Sequence, residues 1–489
     1  MSIARRDILK LGGLGLLAAA AGSCESAPAS LATLMSRRAD YTLRIGAGRV
    51  ALAPDTVVST TTYNGRVPGP LLRLTEGRPI IVDVHNDTGI PEQLHWHGQR
   101  VPADIDGASE EGTPFIPAHG MRRLSFTPGP AGFRFYHTHV AALSDLARGT
   151  YSGQAGPVYI EPKAHPGAYD QEVFLVLKEF DPALSRGGDM AQDFLAGSLV
   201  PELKRKGEKA MADSLARGMP HGYEVGYRAF SINGRKLGHG APIRVKSRQR
   251  VLFHVLNASA TEIRSLALPG HTFKVVALDG NPVPRPADVP VLWIGTAERV
   301  SALVEMDHPG VWVLGDVSDD DRNAGMGTVV EYAGRTGSPQ WTTPAKSTWD
   351  YRTFARPGPT GTRPDQVIDL LVEKRNAADK GFNTWTLNGV PFSMETNQPV
   401  MDINRGKRYR LRFRNATDDI HPVHLHRHTF EVTHIAGTPT HGVHKDVVML
   451  GGYQALDIDF TADQPGLSLL HCHQQLHMDY GFMMLLRCS

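Results

Sequence analysis

The sequence predicts an all-β protein of three sandwich domains. Three observations carry this: a high Gly and Pro content, alternating apolar stretches, and a pattern that recurs at whole-domain spacing. Fifty Gly and thirty-four Pro in 489 residues break helices and punctuate short strands. At that length a single core does not suffice, and two to four domains are expected from size alone. Arg250-Val251-Leu252-Phe253-His254-Val255 and Tyr409-Arg410-Leu411-Arg412-Phe413 alternate as strands do. The recurring pattern opens at Asn64-Gly65, Asn233-Gly234 and Asn388-Gly389, 169 and 155 residues apart. A period that long means repeated domains, not a solenoid of small units.

Each copy runs on to His85-Asn86-Asp87, Leu256-Asn257-Ala258 or Arg414-Asn415-Ala416. The copies end alike, through Gly132-Phe133-Arg134-Phe135-Tyr136-His137, Gly310-Val311-Trp312-Val313-Leu314-Gly315 and Gly466-Leu467-Ser468-Leu469-Leu470-His471. Where the outer copies have His137 and His471, then His139 and His473, the middle copy has Gly315 and Val317. His424-Leu425-His426 likewise faces Leu266-Ala267-Leu268. The middle domain has kept the sandwich and dropped the histidines, so a site that needs both sets lies between the first and third domains. The boundaries read as 38–165, 166–345 and 346–489, after an export segment and linker over 1–37. From Ser185 to Tyr223 the alternation stops, and Leu199–Arg217 reads as an inserted amphipathic helix, a solvated decoration before it is a lid.

At the N-terminus, Arg5-Arg6 precedes an uncharged run from Leu11 to Ala21, too short to span a bilayer. It reads as an export signal of the twin-arginine kind, with cleavage after Ala27-Pro28-Ala29 or lipidation at Cys24 as the two ways of processing it. Location in the periplasm or cell envelope follows, with no stable membrane insertion. A formal charge of +2 gives no field that argues for nucleic acid. The three cysteines, Cys24, Cys472 and Cys488, exclude a disulfide framework.

Four clusters carry chemistry: His95-Trp96-His97-Gly98, His137-Thr138-His139, His421-Pro422-Val423-His424-Leu425-His426, and His471-Cys472-His473 with His477 four residues on. Successive strand side chains alternate faces, so each His-x-His pair presents both rings to one side. Imidazoles alone do not choose a metal, but one thiolate with two imidazoles, Cys472 with His421 and His477, is the trigonal set of a blue copper site. If Cys472 points to one face of its strand, His471 and His473 point to the other. A lone His is more often a packed or surface residue, yet ten of the 22 fall at matching positions of the outer repeats, which chance does not arrange. His428, His434, His441 and His444 follow no such pattern.

Together these motifs resemble the multicopper oxidases, from Tyr41 to Cys488. The resemblance implies three cupredoxin-like Greek-key domains and four coppers per chain. It places type 1 copper on His421, Cys472 and His477, and type 2 on His95 and His424. The type 3 pair falls to His97, His137, His139, His426, His471 and His473. It further implies a laccase-like oxidase, expected as a monomer, that couples one-electron oxidation of a small reducing substrate (phenol, aromatic amine or metal ion) to reduction of dioxygen to water. The family places a proton-relaying carboxylate after the first His-x-His pair. Asp106 occupies that place in Val101-Pro102-Ala103-Asp104-Ile105-Asp106-Gly107, and the proton-relay role stands ahead of a turn aspartate before Gly107. Two departures stand out: Met478 follows His477 where many bacterial relatives have an acid, with Asp479 adjacent but one strand step away and so on the other face, and Phe482 stands where an axial Met is common, with Met483 adjacent. A periplasmic cuprous or other metal-ion oxidase is the alternative, which the scattered methionines disfavour. A copper nitrite reductase or a metal-free scaffold is set against it by the full ligand set.

Overall fold

The computed structural model describes residues 37–163, 168–186, 194–219 and 221–489. Arg5, Arg6, the apolar run Leu11 to Ala21, Cys24 and the cleavage segment lie outside the described residues. Ala39–Ser489 forms one compact unit.

Among the described residues of that unit the strands make three pairs of sheets. The first pair has four and four strands between Tyr41 and Glu161, the second six and five between Gln171 and Tyr332, the third seven and five between Arg356 and Cys488. These are the all-β sandwiches the repeats predict, of the cupredoxin type the resemblance implies. The copies share their opening: a long strand pairs with the strand leading into Asn-Gly and, on its other edge, runs parallel to a later strand. Those trios are Tyr41–Ala53 with Thr56–Tyr63 and Ile80–Asn86, Gln171–Ser185 with Glu224–Ile232 and Arg250–Asn257, and Gln366–Asp379 with Phe382–Leu387 and Arg408–Asn415.

The two recurring asparagines have physical reasons. Asn64, Asn233 and Asn388 sit at φ between 52° and 55°, the left-handed region that Asn tolerates best after Gly. Each side chain then bonds the neighbouring strand as a backbone amide would: Asn388 Nδ2 donates to Asp369 O (3.0 Å) and Oδ1 accepts from Leu371 N (2.7 Å). Asn86, Asn257 and Asn415 are fully buried and stitch the loop that follows. Asn415 Nδ2 donates to Asp419 O (2.8 Å) and Gly451 O (3.0 Å), while its Oδ1 accepts from Thr417 N (2.9 Å). The loop so fixed delivers His421.

The insert holds a helix at Pro201–Ala216, beginning at a proline as first turns favour. Most of its surface is exposed, as a solvated decoration has it, but one face packs on the protein. Leu203 and Ser214 are buried, Lys206 pairs with Glu373 at 3.0 Å, and a Cβ on Gly207 would lie 2.3 Å from Ala416 O. The helix is seated on the loop that leads to His421.

Asn415→Ala strands the buried Thr417 N–H and leaves the carbonyls of Asp419 and Gly451 with only their longer bonds to Thr417 Oγ1 (3.5 Å) and Gln454 N (3.2 Å), and a buried unpaired donor costs about 1–3 kcal/mol. It should destabilise the protein by about 1–3 kcal/mol in denaturant melts, more than Asn388→Ala at the exposed Asn-Gly turn of the same domain. Equal losses would contradict this account of the buried asparagine.

Candidate metal centre

Sheet register sorts the third-domain side chains into two faces. His424 pairs with His471 and Val423 with Cys472. His424 and His471 therefore share one face, and Cys472 takes the other with His421, two residues from Val423. In the first domain His95 pairs with His137 and His97 with Phe135, which puts His95, His97 and His137 on one face. That face meets the face of His424 and His471. All ten predicted histidines and Cys472 are buried.

Their donor atoms gather into sets. His97, His137 and His473 form one, His139, His426 and His471 a second, and His421, Cys472 and His477 a third, each with ligand atoms within 4.8 Å of one another. His95 and His424 complete a fourth with His97. Hydrogen bonds state which nitrogen each ring turns inward. His95 Nδ1 donates to Asp106 O (2.9 Å) and His424 Nδ1 to Asp446 O (2.6 Å), leaving both Nε2 atoms buried without a partner. His137 and His471 donate from Nδ1 to Thr138 O (2.7 Å) and Cys472 O (2.8 Å). His426 and His471 bring Nε2 to Nε2 at 3.0 Å, and His137 and His473 do so at 3.4 Å. Burial, first, and the neighbouring imidazoles push the pKa values of His97, His137, His424, His426, His471 and His473 well down. Neutral rings aiming lone pairs at one another are stable only around a cation, so the donor set fits bound metal.

In the third set His421 Nδ1 lies 3.0 Å from His477 Nδ1, and Cys472 Sγ lies 3.5 Å from the same atom. Thr417 Oγ1 takes His421 Nε2 at 3.0 Å, which leaves Nδ1 for a metal. Burial raises the Cys472 thiol well above its ordinary value, so a thiolate there needs a cation beside it. Trp385 covers His477 with ring centroids 4.0 Å apart. The Phe482 ring lies 4.7 Å from that of His421 and belongs to the same core cluster as Cys472. Met483 is opposite His471 and packs with Leu469, Met478 and Leu485 in another cluster.

Asp106 is fully buried, with Oδ2 accepting from His426 Nδ1 (2.8 Å) and 3.1 Å from His95 Nδ1. It is not a plain turn residue. Gly107 follows at φ 102°, and a Cβ there would strike Leu94 O at 2.0 Å. Sequence reasoning missed several partners. Glu111 Oε1 sits 3.3 Å from His426 Nδ1, and burial together with the Asp106 carboxylate pushes its carboxyl well up. Glu110 Oε2 lies 4.0 Å from His139 Nδ1, beside a cavity of about 390 Å³ reached from Gln93, Phe115 and Arg148. Asp446 meets His97 Nε2 at 3.1 Å. The adjacent acids Glu110-Glu111 and the pair Lys445-Asp446 inside an apolar run were the available signals. Asp479, assigned above to a strand, ends the helical turn Gln475–Asp479. Its Oδ2 accepts from Ala142 N (2.9 Å) and Leu143 N (2.7 Å), so it fastens a first-domain loop and does not face the histidines.

Three models described as multicopper oxidase match residues 45–165, 204–332 and 362–488. The chain is 31% identical over 435 residues to "Multicopper oxidase MmcO" of Mycobacterium tuberculosis, covering 87% of this chain and 82% of that protein. It is 25% identical over 486 residues to "Laccase-2" of Fomitopsis schrenkii, covering 86% and 84%. Among solved structures, a multicopper oxidase from Pseudomonas thermotolerans superposes with a TM-score of 0.67 at 22% identity, covering 92% and 98%.

Phe482 cannot donate to a metal, and an added thioether donor favours Cu(II) over Cu(I). Phe482→Met should lower the potential of the blue site in a redox titration, while Met483→Leu should leave it unchanged. The reverse pattern would show that Met483, not Phe482, tunes the potential.

Proposed function

The chain belongs to the multicopper oxidase family, copper-dependent oxidoreductases that use dioxygen, and from that premise we propose how its residues divide the work. The reaction couples one-electron oxidation of a reducing substrate to four-electron reduction of dioxygen to water. His421, Cys472 and His477 hold type 1 copper, and His95 with His424 holds type 2. His97, His137 and His473 hold one type 3 copper; His139, His426 and His471 hold the other. The observation that carries this assignment is the pair of buried, unpartnered Nε2 atoms on His95 and His424 between two three-histidine sets. Bound copper supplies the one-electron redox steps, and four of them match the four electrons dioxygen needs.

The chain does the rest. Cys472 lies between His471 and His473, so three consecutive residues join the blue site to the cluster by covalent bonds. Asp106 fixes His426 and, with Glu111, forms a buried acid pair in which the raised Glu111 carboxyl holds a proton next to His426 Nδ1. This pair takes the proton-relay role that Met478 cannot fill. Glu110, at the cavity beside His139, stands between solvent and the cluster.

The reducing substrate docks toward His421, where a cavity of about 440 Å³ opens between the helix Pro201–Ala216 and the loop Ala416–Asp418. Leu215 and Tyr453 give it apolar walls, which suit a phenol or aromatic amine. Met211 and His221 in the same cavity favour the second reading, a metal-ion oxidase. The paired arginines and apolar run direct export to the periplasm or cell envelope, with Cys24 as the point of lipid attachment if it is used. The described part contains no helix long and apolar enough to cross a membrane. Domains divide at 38–165, 166–345 and 346–489, and the protein works as a monomer.

Cys472→Ser tests the central assignment. The variant should lose the blue absorption and substrate oxidation while copper analysis still finds the three cluster coppers. A variant that stays blue overturns the type 1 assignment.

A further inference from the structure

Two aspartates are placed alike on opposite sides of the first and third domains. Asp106 of the first domain accepts from its own domain's His95 through its backbone oxygen and from the third domain's His426 through its carboxylate. Asp446 of the third domain accepts from its own domain's His424 through its backbone oxygen and from the first domain's His97 through its carboxylate. Each residue therefore sets the tautomer of one histidine on either side of the boundary.

Their surroundings differ. Asp106 shares its pocket with a second carboxyl, Glu111, and its Oδ1 has no partner. Asp446 is clamped by guanidiniums. Arg299 Nη1 donates to Oδ1 and Nη2 to Oδ2, both at 2.6 Å, and Arg134 Nη1 donates to Oδ2 at 3.1 Å. Arg299 belongs to the middle domain, and so does Asp279, whose Oδ2 accepts from Asp446 N (3.2 Å) and Val447 N (3.1 Å). Lys445 pairs with Asp279 (2.9 Å) and Glu298 (3.0 Å). Arg134, Arg299 and Lys445 face Asp279, Glu298 and Asp446, an equal number of opposite charges, all buried. The tight turn at Gly98, φ 76°, leaves room for this clamp: a Cβ there would lie 2.6 Å from Asp446 Oδ2 and 2.8 Å from Arg299 Nη2.

His97 is the histidine that this clamp singles out. Its Nε2 faces a carboxylate and its Nδ1 lies 3.4 Å from His137 Nε2, whereas His95, His137, His424, His426 and His471 are all held at Nδ1. A neutral imidazole next to an acceptor carries its proton on that nitrogen. We propose that Asp446, locked by Arg299 of the copper-free middle domain, is a positioning residue that holds His97 as the Nε2–H tautomer and so turns Nδ1 to the type 3 site. The middle domain has lost its own ligands but supplies the arginine that aims one of the first domain's. This rests on the assignment of His97 as a type 3 ligand and is tested so that the two can fail separately.

Asp446→Asn must offer its amide oxygen to the guanidiniums and its NH2 to His97 Nε2, which inverts the tautomer. Arg299→Lys keeps the buried charge but removes the two-pronged grip, and decides the matter if the asparagine variant does not fold. Copper per chain, the blue band, the type 3 near-ultraviolet band and copper titration against a chelator are read for both, with His97→Ala as reference. The expected result is a native blue band, a lost or weakened type 3 band, and cluster copper held about 10–100-fold less tightly. If His97→Ala keeps the type 3 band, the ligand assignment fails. If His97→Ala loses the band while both clamp variants keep it with native copper content, the positioning role is overturned. Loss of the blue band together with the type 3 band in Arg299→Lys also overturns it, since the network would then only hold the domains together.

Discussion

Two carboxylates crossing one domain boundary in opposite directions fix the geometry on which the rest depends. Asp106 reaches from the first sandwich to His426, and Asp446 from the third to His97. Neither sandwich can orient its own full set of imidazoles, because each borrows one hydrogen-bond acceptor from the other. The separation of the first and third domains is thus set to hydrogen-bond precision, as metal ligands require. Register does the remaining work: pairing His424 with His471 leaves Cys472 no face but the one opposite the cluster.

The same interior shows how buried charge is put to two uses. Around Asp446 the charges balance, and removing one partner of such a network costs about 3–5 kcal/mol because the other stays buried and unpaired. That rigidity suits a residue that must not move. Around Asp106 two carboxyls share one pocket, and burial together with the Asp106 carboxylate pushes the Glu111 carboxyl well up. That arrangement suits a proton donor. Met478 packs against Leu469 and Met483, so under the proposed function proton relay falls to the first-domain acids.

Much of this was legible in the chain. The Asn-Gly turns and buried asparagines mark local backbone needs, so three copies of one sandwich could be counted from residues such as Asn64, Asn233 and Asn388. The His-x-His pairs were legible because strand alternation turns spacing into direction. Asp446, Arg299 and Glu111 were not, since their roles arise from contacts between domains hundreds of residues apart, and a charged residue in an apolar run does not name its partner. The helix Pro201–Ala216 was legible only in part. Its charged surface is real, but a single glycine, Gly207, lets its other face sit on Ala416. Asp479 misled because alternation was extended past the end of a strand into a helical turn.

The most direct measurement is diffraction from the copper-loaded protein at the copper absorption edge. Four anomalous peaks are expected: one inside His421, Cys472 and His477, one between His95 and His424, and one in each of the sets His97, His137, His473 and His139, His426, His471. A single peak at Cys472 with none between the first and third domains would contradict the interdomain cluster.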